Sequence, residues 1–409
     1  MLVTPCSNTK IYLKNKKRLY CAFVDYKKAF DFINRSSLWY KLIQQGIQGK
    51  FLRILKSLYD QVKTCIKYDG CLSTFYDNNM GLLQGEILSP ILFSLYINDF
   101  ETHFIKDNCP SIELCDINLF LLMYADDTVL LSETPEGLQK MLDSLATYTQ
   151  TWKLSVNIDK TKILVFRNGG TLHRNEQWFY GGKKLDIVNQ FNYLGLLFNY
   201  NGKFFQTQKH TAQQGRKAMF SLMSNLRKFK FNIQTQCAVF DTYVNSILSY
   251  GAEVWGFHKG PDVEKVHTVF CKKLLGVKKN TPNDFIFCEL GRLPLFLNRK
   301  LKVIKYWLKL KNTNNIILST CFEEMVRCNS EWVCNVKLLL DELRLSYLWN
   351  SGTTKYDYYL IETRFLDVQK QIILSNVKNS VKGVLYRYLI DNYVLQQYLQ
   401  KPIEVFDLR

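Results

Sequence analysis

Apolar and polar positions along the chain fall into two rhythms. Up to about residue 200, short apolar runs alternate with segments of helical period. "KKRLYCAFVDY" is a short apolar run ending at Asp25 and predicts a buried strand. "SSLWYKLIQQGI" and "GKFLRILKSLY" have helical spacing, through Leu38 and Leu42 and then Phe51, Leu55 and Leu58. "VKTCIKYDGCLSTFY" alternates around Asp69-Gly70, the dipeptide that best marks a tight hairpin. "LSPILFSLYINDF" predicts a helix with Ser89 as N-cap and Pro90 at its first position. Being apolar almost all round, that helix is expected to be deeply buried. "LFLLMYADDTVLLS" reads as two apolar strands around Asp126-Asp127. In "TPEGLQKMLDSLATYTQTW", Thr134 caps a helix, Pro135 starts it, and Leu138, Met141, Leu142, Leu145 and Trp152 share a face. "KTKILVF" and "QFNYLGLLF" add strands, the first ended by the turn at Asn168. Beyond Gly202 the pattern is helical, with stripes through Met219, Leu222, Met223 and Leu226, and through Phe240, Tyr243, Val244, Ile247 and Leu248. The order predicts an α+β fold, a sheet with helices on one face, followed by an all-helical remainder.

The adjacent carboxylates Asp126 and Asp127 are out of keeping with their surroundings. An ordinary hairpin turn accepts Asp, but it would be flanked by strands with one polar face. Here both flanking strands are apolar on both faces, so at least one carboxylate is expected to be partly desolvated. Burying an unpaired charge costs several kcal/mol or raises its pKa. A divalent cation relieves both the burial and the mutual repulsion. Asp25, at the end of a buried strand, is the best third acid. Three acids on neighbouring strands suit two metal ions about 4 Å apart, the geometry of in-line phosphoryl or nucleotidyl transfer. On spacing alone, an unrelated buried turn stays open beside this reading.

Composition narrows the partner. The 409 residues allow two or three domains, and 47% hydrophobic content excludes a disordered chain. The net charge of +18 points to a polyanion. It is concentrated between Lys209 and Lys309, where 18 Lys and Arg face 6 Asp and Glu, and this favours nucleic acid. The N-terminus has no apolar signal core, and no run approaches the ~20 apolar residues of a membrane helix. The expectation is an intracellular protein, nuclear or cytoplasmic, without a membrane partner. Twelve cysteines without zinc spacing read as small buried residues in a reducing compartment.

Five segments, "FVDYKKAFD", "GLLQGEILSPILFSLYINDF", "YADD", "LSVNIDKTKILVF" and "FNYLGLLF", stand in the order of reverse transcriptase motifs A to E. Over residues 19 to 200 the chain resembles the reverse transcriptases of jockey-like non-LTR retrotransposons. The resemblance implies a polymerase palm, RNA-templated DNA synthesis and two Mg²⁺ ions, with Mn²⁺ as a substitute. By position, Asp25, Asp126 and Asp127 would be the catalytic metal ligands, joined by the backbone carbonyl of Tyr26. Phe30 would press on the sugar and exclude a 2′-hydroxyl. Gln84 and Gly85 would form the loop against the incoming nucleotide and template. Lys160 would protonate or neutralise pyrophosphate, and "FNYLGLLF" would support the primer end. Read alone, Phe30 is a core aromatic, Lys160 a solvated surface charge and "FNYLGLLF" one more core strand. The implied partners are an RNA template, a DNA primer and deoxynucleoside triphosphates. Lys272, Lys273, Lys278 and Lys279 could follow the phosphates of the duplex.

The domains expected are a palm over 1–200 with its fingers largely missing, a basic thumb-like helical region over 201–310, and a helical region of unknown role over 311–409. Only 24 residues precede Asp25, so the expectation is an N-terminally truncated element. Two functions follow: an RNA-directed DNA polymerase, or a catalytically inactive remnant that binds nucleic acid. A two-metal nuclease is a weaker third, opposed by the Gln84–Gly85 segment.

Overall fold

The computed structural model describes residues 9–399, apart from 10, 116, 227, 230, 353, 355, 385, 387–389, 391, 397 and 398. The chain divides into two compact units, one of them Tyr12–Leu194 and the other holding Gly195 onward.

The first unit is built on β1 (Leu19–Val24), whose six residues are all buried. Helices α1 (Arg35–Gln44) and α2 (Gly49–Asp60) follow. Asn34 caps α1 through its side chain, which accepts from Ser37 N at 2.9 Å. Then come four two-residue strands, β2 (Lys63–Thr64), β3 (Lys67–Tyr68), β4 (Cys71–Leu72) and β5 (Tyr76–Asp77), nested as β2 with β5 and β3 with β4. Asp69 and Gly70 both have positive φ at the tip, as the hairpin signal required. After α3 (Leu88–Tyr96) and α4 (Phe100–Lys106) come the hairpins β6 (Ile112–Leu114) with β7 (Ile117–Leu119), and β8 (Leu121–Tyr124) with β9 (Asp127–Ser132). Helix α5 (Pro135–Thr151), β10 (Lys162–Phe166), the hairpin β11 (Phe179–Tyr180) and β12 (Lys183–Lys184), β13 (Asp186–Val188) and β14 (Gln190–Tyr193) complete the unit.

The central sheet runs β13-β10-β1-β9-β8, antiparallel except that β13 lies parallel to β10. Paired residues share a face, so Tyr20, Ala22 and Val24 of β1 point the same way as Ser132, Leu130 and Thr128 of β9. This face meets the helices in one core with Leu138, Met141, Leu142 and Leu145 of α5, all fully buried. Thr134 caps α5, its hydroxyl accepting from Gly137 N at 3.1 Å, as expected. On the opposite face Phe23 stacks on Phe191 at 4.3 Å.

One buried cation ties the helical layer together. Lys41 of α1 donates to Tyr96 O at 2.5 Å, Asp99 Oδ1 at 2.6 Å and the Tyr148 hydroxyl at 2.8 Å, with its ammonium 3.8 Å from the Trp152 ring. Burial pushes this ammonium down to about 8, against the pull of Asp99.

Several expectations fail for identifiable reasons. The buried face of α2 is Leu52, Leu55 and Tyr59, while Phe51 and Leu58 are exposed. Ser89 does not cap α3: it lies inside the helix, buried, and its hydroxyl donates to Leu83 O at 2.6 Å, so Pro90 is not the first position. Nor is α3 buried all round, since Ile91 is exposed. The β6–β7 and β11–β12 hairpins and the parallel β13 have no counterpart in the pattern.

The second unit begins with β15 (Leu196–Asn199) and is helical from α6 (Phe205–Leu226) to the helix ending at Lys378. Met219, Leu222 and Leu226 are buried as expected. The next stripe keeps Phe240, Val244 and Leu248 inside but exposes Tyr243. The cause is a π-helical turn over Asp241–Asn245, whose wider winding makes every fourth residue recur on one face. Inside this unit Arg299, fully buried, pairs with Glu264 at 2.8 Å, and Arg292 pairs with Asp241 at 2.6 Å. Cys71, Cys115 and Cys334 are exposed, against the expectation of buried thiols. No helix among the described residues is long and apolar enough to cross a membrane.

Because the folded Lys41 pKa lies below that of the unfolded chain, the unfolded state holds its proton longer, and stability from this site rises with pH between the two values. The stability of wild type relative to Lys41→Met should therefore climb by about 1–2 kcal/mol between pH 7 and pH 9.5. Paired urea titrations at the two pH values measure it; a constant difference would mean the ammonium is not buried at cost.

Candidate active site

The β1–β9 register decides where the acids go. Val24 pairs with Thr128, and the next step of the antiparallel ladder sets Asp25 opposite Asp127 on the face away from the helices. The hairpin needs Ala125 at φ 53°, a left-handed conformation rare for a side-chain-bearing residue, to turn from Tyr124 back to its partner Asp127. Asp127 lies above its ordinary pKa, first because of partial burial and then because of Asp126 and Asp25. Asp127 is nonetheless exposed to solvent and Asp126 only half-buried, so the apolar flanks leave neither carboxylate enclosed.

Residues 155–161 buttress Asp25. Its N–H donates to Thr161 Oγ1 at 3.2 Å and its carbonyl accepts from Asn157 N at 2.7 Å. Lys27 N bonds Ser155 O at 2.7 Å, so Tyr26 and Val156 form the non-hydrogen-bonded kind of antiparallel pair. The Tyr26 carbonyl therefore points away from residues 155–157, while its ring is buried in the core. Beneath the acids, the buried Tyr26 and Thr128 hydroxyls lie against each other.

A cleft of about 530 Å³ opens over this face, lined by Asp25, Asp127, Asp159, Lys160, Lys162 and Tyr193 among others. Lys160 sits in a turn closed by Lys160 N and Thr161 N bonding Asn157 O. Lys162 is held by Asp186 at 2.6 Å. Asp126, half-buried in the turn, is not on the wall. Among the described residues no three His, Cys, Asp or Glu side chains converge into a metal-holding cluster. The facing carboxylates of the cleft are Asp25 and Asp127, with Asp159 also on its wall, and one or two carboxylates are what Mg²⁺ uses when substrate phosphates and water complete its shell. In this respect the residues fit a divalent cation.

Phe30, Gln84 and Gly85 gather elsewhere, on the turn after Asp25 and the loop before α3. Phe30 O accepts from Leu82 N at 2.7 Å and Ile33 O from Gly81 N at 2.9 Å. The Gln84 amide donates to Asp31 Oδ1 at 2.9 Å. The Phe30 ring packs on Phe93 at 4.8 Å, only partly buried. Gly85 has φ 92° with open space where a Cβ would be, so backbone conformation rather than crowding calls for glycine. None of the three lines the acid cleft. The stretch Gln190–Asn199 supplies β14 and β15, one to each unit. Sequence reasoning missed Asp159 and Thr161. Both lie inside the "NIDKTK" segment already singled out, but nothing in it distinguishes a backbone-buttressing threonine.

This arrangement, with a sheet whose edge hairpin β8–β9 sets an acid opposite another at the end of the central strand, and with helices behind, is that of a polymerase palm. Residues 3–198 match the family described as reverse transcriptase (RNA-dependent DNA polymerase). The RNA-directed DNA polymerase from mobile element jockey of Drosophila melanogaster is 24% identical over 276 residues, 64% of this chain and 28% of the relative. The probable RNA-directed DNA polymerase from transposon BS of Drosophila melanogaster is 28% identical over 248 residues, 58% of this chain and 26% of the relative. The chain thus spans about a quarter of the length of these curated relatives. Among solved structures, telomerase from Candida albicans with a fragment of telomeric RNA aligns at TM-score 0.38 and 13% identity, over 88% of this chain and 52% of that one.

Two like charges face each other across β1 and β9, so neutralising one should relieve strain. The raised Asp127 pKa means that the folded state takes up its proton first, and stability falls as pH rises through that pKa. Asp127→Asn should be more stable than wild type at pH 7 by about 0.5 kcal/mol, after discounting for solvent screening at this half-open position. The gain should vanish by pH 3, where both forms are neutral. Urea midpoints at the two pH values test it, and an unstable variant at pH 7 would refute the repulsion.

Proposed function

We propose that the chain is an RNA-directed DNA polymerase of a non-LTR retroelement, extending a DNA primer on an RNA template with deoxynucleoside triphosphates. The observation that carries this reading is the opposition of Asp25 and Asp127 beside Lys160 in one cleft. Asp25 and Asp127, with Asp126 on the adjoining turn and the Tyr26 carbonyl, would hold Mg²⁺ or Mn²⁺. Bound there, the ions would supply Lewis-acid activation of the primer hydroxyl and charge neutralisation on the triphosphate.

The remaining roles belong to the chain. Thr161 and Asn157 fix the backbone of Asp25, so its carboxylate is presented without rearrangement. Lys160 offers a cation, and a proton, at the wall where pyrophosphate would leave. Phe30 sets a ring where a 2′-hydroxyl would stand, and Gln84 reaches the nucleotide or template from the neighbouring loop. Gly85 leaves room for a base pair to approach the backbone. The basic surplus between Lys209 and Lys309 supports sequence-independent phosphate binding. The free thiols suit an intracellular setting.

The second reading, a remnant that binds nucleic acid without catalysis, is favoured by one observation: Asp126 lies off the cleft wall that Asp25 and Asp127 share. Primer extension on an RNA template with a DNA primer, in Mg²⁺ or Mn²⁺, separates the two. Extension by wild type that Asp126→Asn abolishes, with an unchanged circular dichroism spectrum, is the expected result. Salt-sensitive template–primer binding without extension would leave the remnant. The sugar gate is tested in the same assay. Phe30→Ala should accept ribonucleotides at least about tenfold better relative to deoxynucleotides, and unchanged selectivity would remove that role from Phe30.

A further inference from the structure

Arg35 has no part in the motifs, yet it is the most heavily engaged side chain near the Gln84–Gly85 loop. It is buried at the first position of α1. Its Nε donates to Gly81 O at 3.0 Å, its Nη1 to Tyr59 O at 2.8 Å and Asn78 O at 2.6 Å, and its Nη2 to Met80 O at 3.3 Å. Four of five guanidinium donors are thus spent on four main-chain carbonyls. Tyr59 lies in the last turn of α2, where unpaired carbonyls and the helix dipole favour a cation. The Tyr59 ring also lies 5.1 Å under the guanidinium.

The other three carbonyls belong to residues 78–81, the approach to the loop. Beyond it, Leu82 is buried in the core, Leu83 packs against it, and the Ser89 hydroxyl bonds Leu83 O. Gln84, Gly85, Glu86 and Ile87 are exposed, so no apolar packing fixes them. What sets the segment against residues 30–33 is the backbone ladder through Gly81 N and Leu82 N, and the Gln84–Asp31 bond. Gly81 lets this approach happen: a Cβ there would stand 2.4 Å from Asp31 O. A ladder of two amide bonds is short, and Arg35 clamps its outer end from the far side.

We propose that Arg35 is a positioning residue that locks residues 78–82 against the Phe30 turn and so sets the spacing between Phe30 and Gln84. The inference rests on the polymerase reading for its consequence, which is nucleotide selection, and on the fold alone for the clamp. Selection is the function it governs because the acids are held by separate bonds, Asp25 by Thr161 and Asn157 and Asp127 by its pairing with Tyr124.

The test compares wild type, Arg35→Met and Arg35→Lys. Methionine keeps the stem but none of the donors. Lysine keeps a charge but cannot span four carbonyls from one compact ammonium. In hydrogen exchange, the Gly81 and Leu82 amides should exchange at least about tenfold faster in Arg35→Met, less so in Arg35→Lys, while Leu19–Val24 stays protected. In primer extension, Arg35→Met should raise KM for deoxynucleotides about tenfold more than it lowers kcat, and narrow the discrimination against ribonucleotides. Template–primer affinity should not change. Unchanged exchange at Gly81 and Leu82 would overturn the proposal, as would equal acceleration in β1, which would make Arg35 a general stabiliser. A loosened ladder with undiminished selectivity would overturn the link to selection. If wild type extends no primer, it is the polymerase reading that falls, and the exchange comparison still decides the clamp.

Discussion

The opposition of Asp25 and Asp127 across an antiparallel strand pair is the constraint on which the rest of the first unit depends. Two ionised groups directly opposite each other oppose the pairing by up to about 1 kcal/mol. The neighbours that hold the register contribute more: Val129, Leu130 and Leu131 are each almost fully buried, worth about 1.5–3 kcal/mol apiece. The apolar flanks of the acidic turn are therefore what makes the acids possible. A one-residue slip would place Asp127 on the helix face, among Ala22, Val24 and the leucines of α5, where no charge could stay, and would turn Leu130 out of the core. The register is thus enforced twice, by the apolar side chains it buries and by the carboxylate it keeps out.

How far the sequence discloses this depends on the range of the interaction involved. Thr134 as a cap, the Asp69-Gly70 hairpin and the buried run of β1 were legible because they depend on a few adjacent residues. Short-range patterns also found α2, but not its buried face. Phe51 and Leu58 satisfy a helical period as well as Leu52 and Tyr59 do, and only the partners of α2 choose between the two. Ser89 has the identity of a cap, yet its hydroxyl is taken by the Leu83 carbonyl, which anchors the loop rather than the helix end. Tyr243 was misplaced by a π-helical turn that no period of 3.6 anticipates.

The candidate site divides in the same way. Asp25, Asp127 and Lys160 were found from motif positions and do share a cleft. Phe30, Gln84 and Gly85 were found too, but they form a second group joined by main-chain bonds. Thr161 and Arg35 stayed hidden because each acts on the backbone of a distant segment, and any threonine or arginine at a turn or helix start looks the same in sequence.

The two groups differ in what holds them. The acids sit on strands whose side chains pack on both faces, so their geometry shares the stability of the core. Residues 78–85 lie mostly outside it, and their placement depends on a few polar contacts that can fail one at a time. Local opening draws on such segments first. The turn from Asp25 through Phe30 to Asp31 belongs to both, buttressed by Asn157 at one end and laddered to Gly81 and Leu82 at the other. A change that loosens the loop therefore need not disturb the acids, whereas a change in the strand register displaces both. On the polymerase reading proposed above, substitutions around residues 78–85 would retune nucleotide selection without loss of the carboxylate pair, whereas a shift of strand register would disturb both.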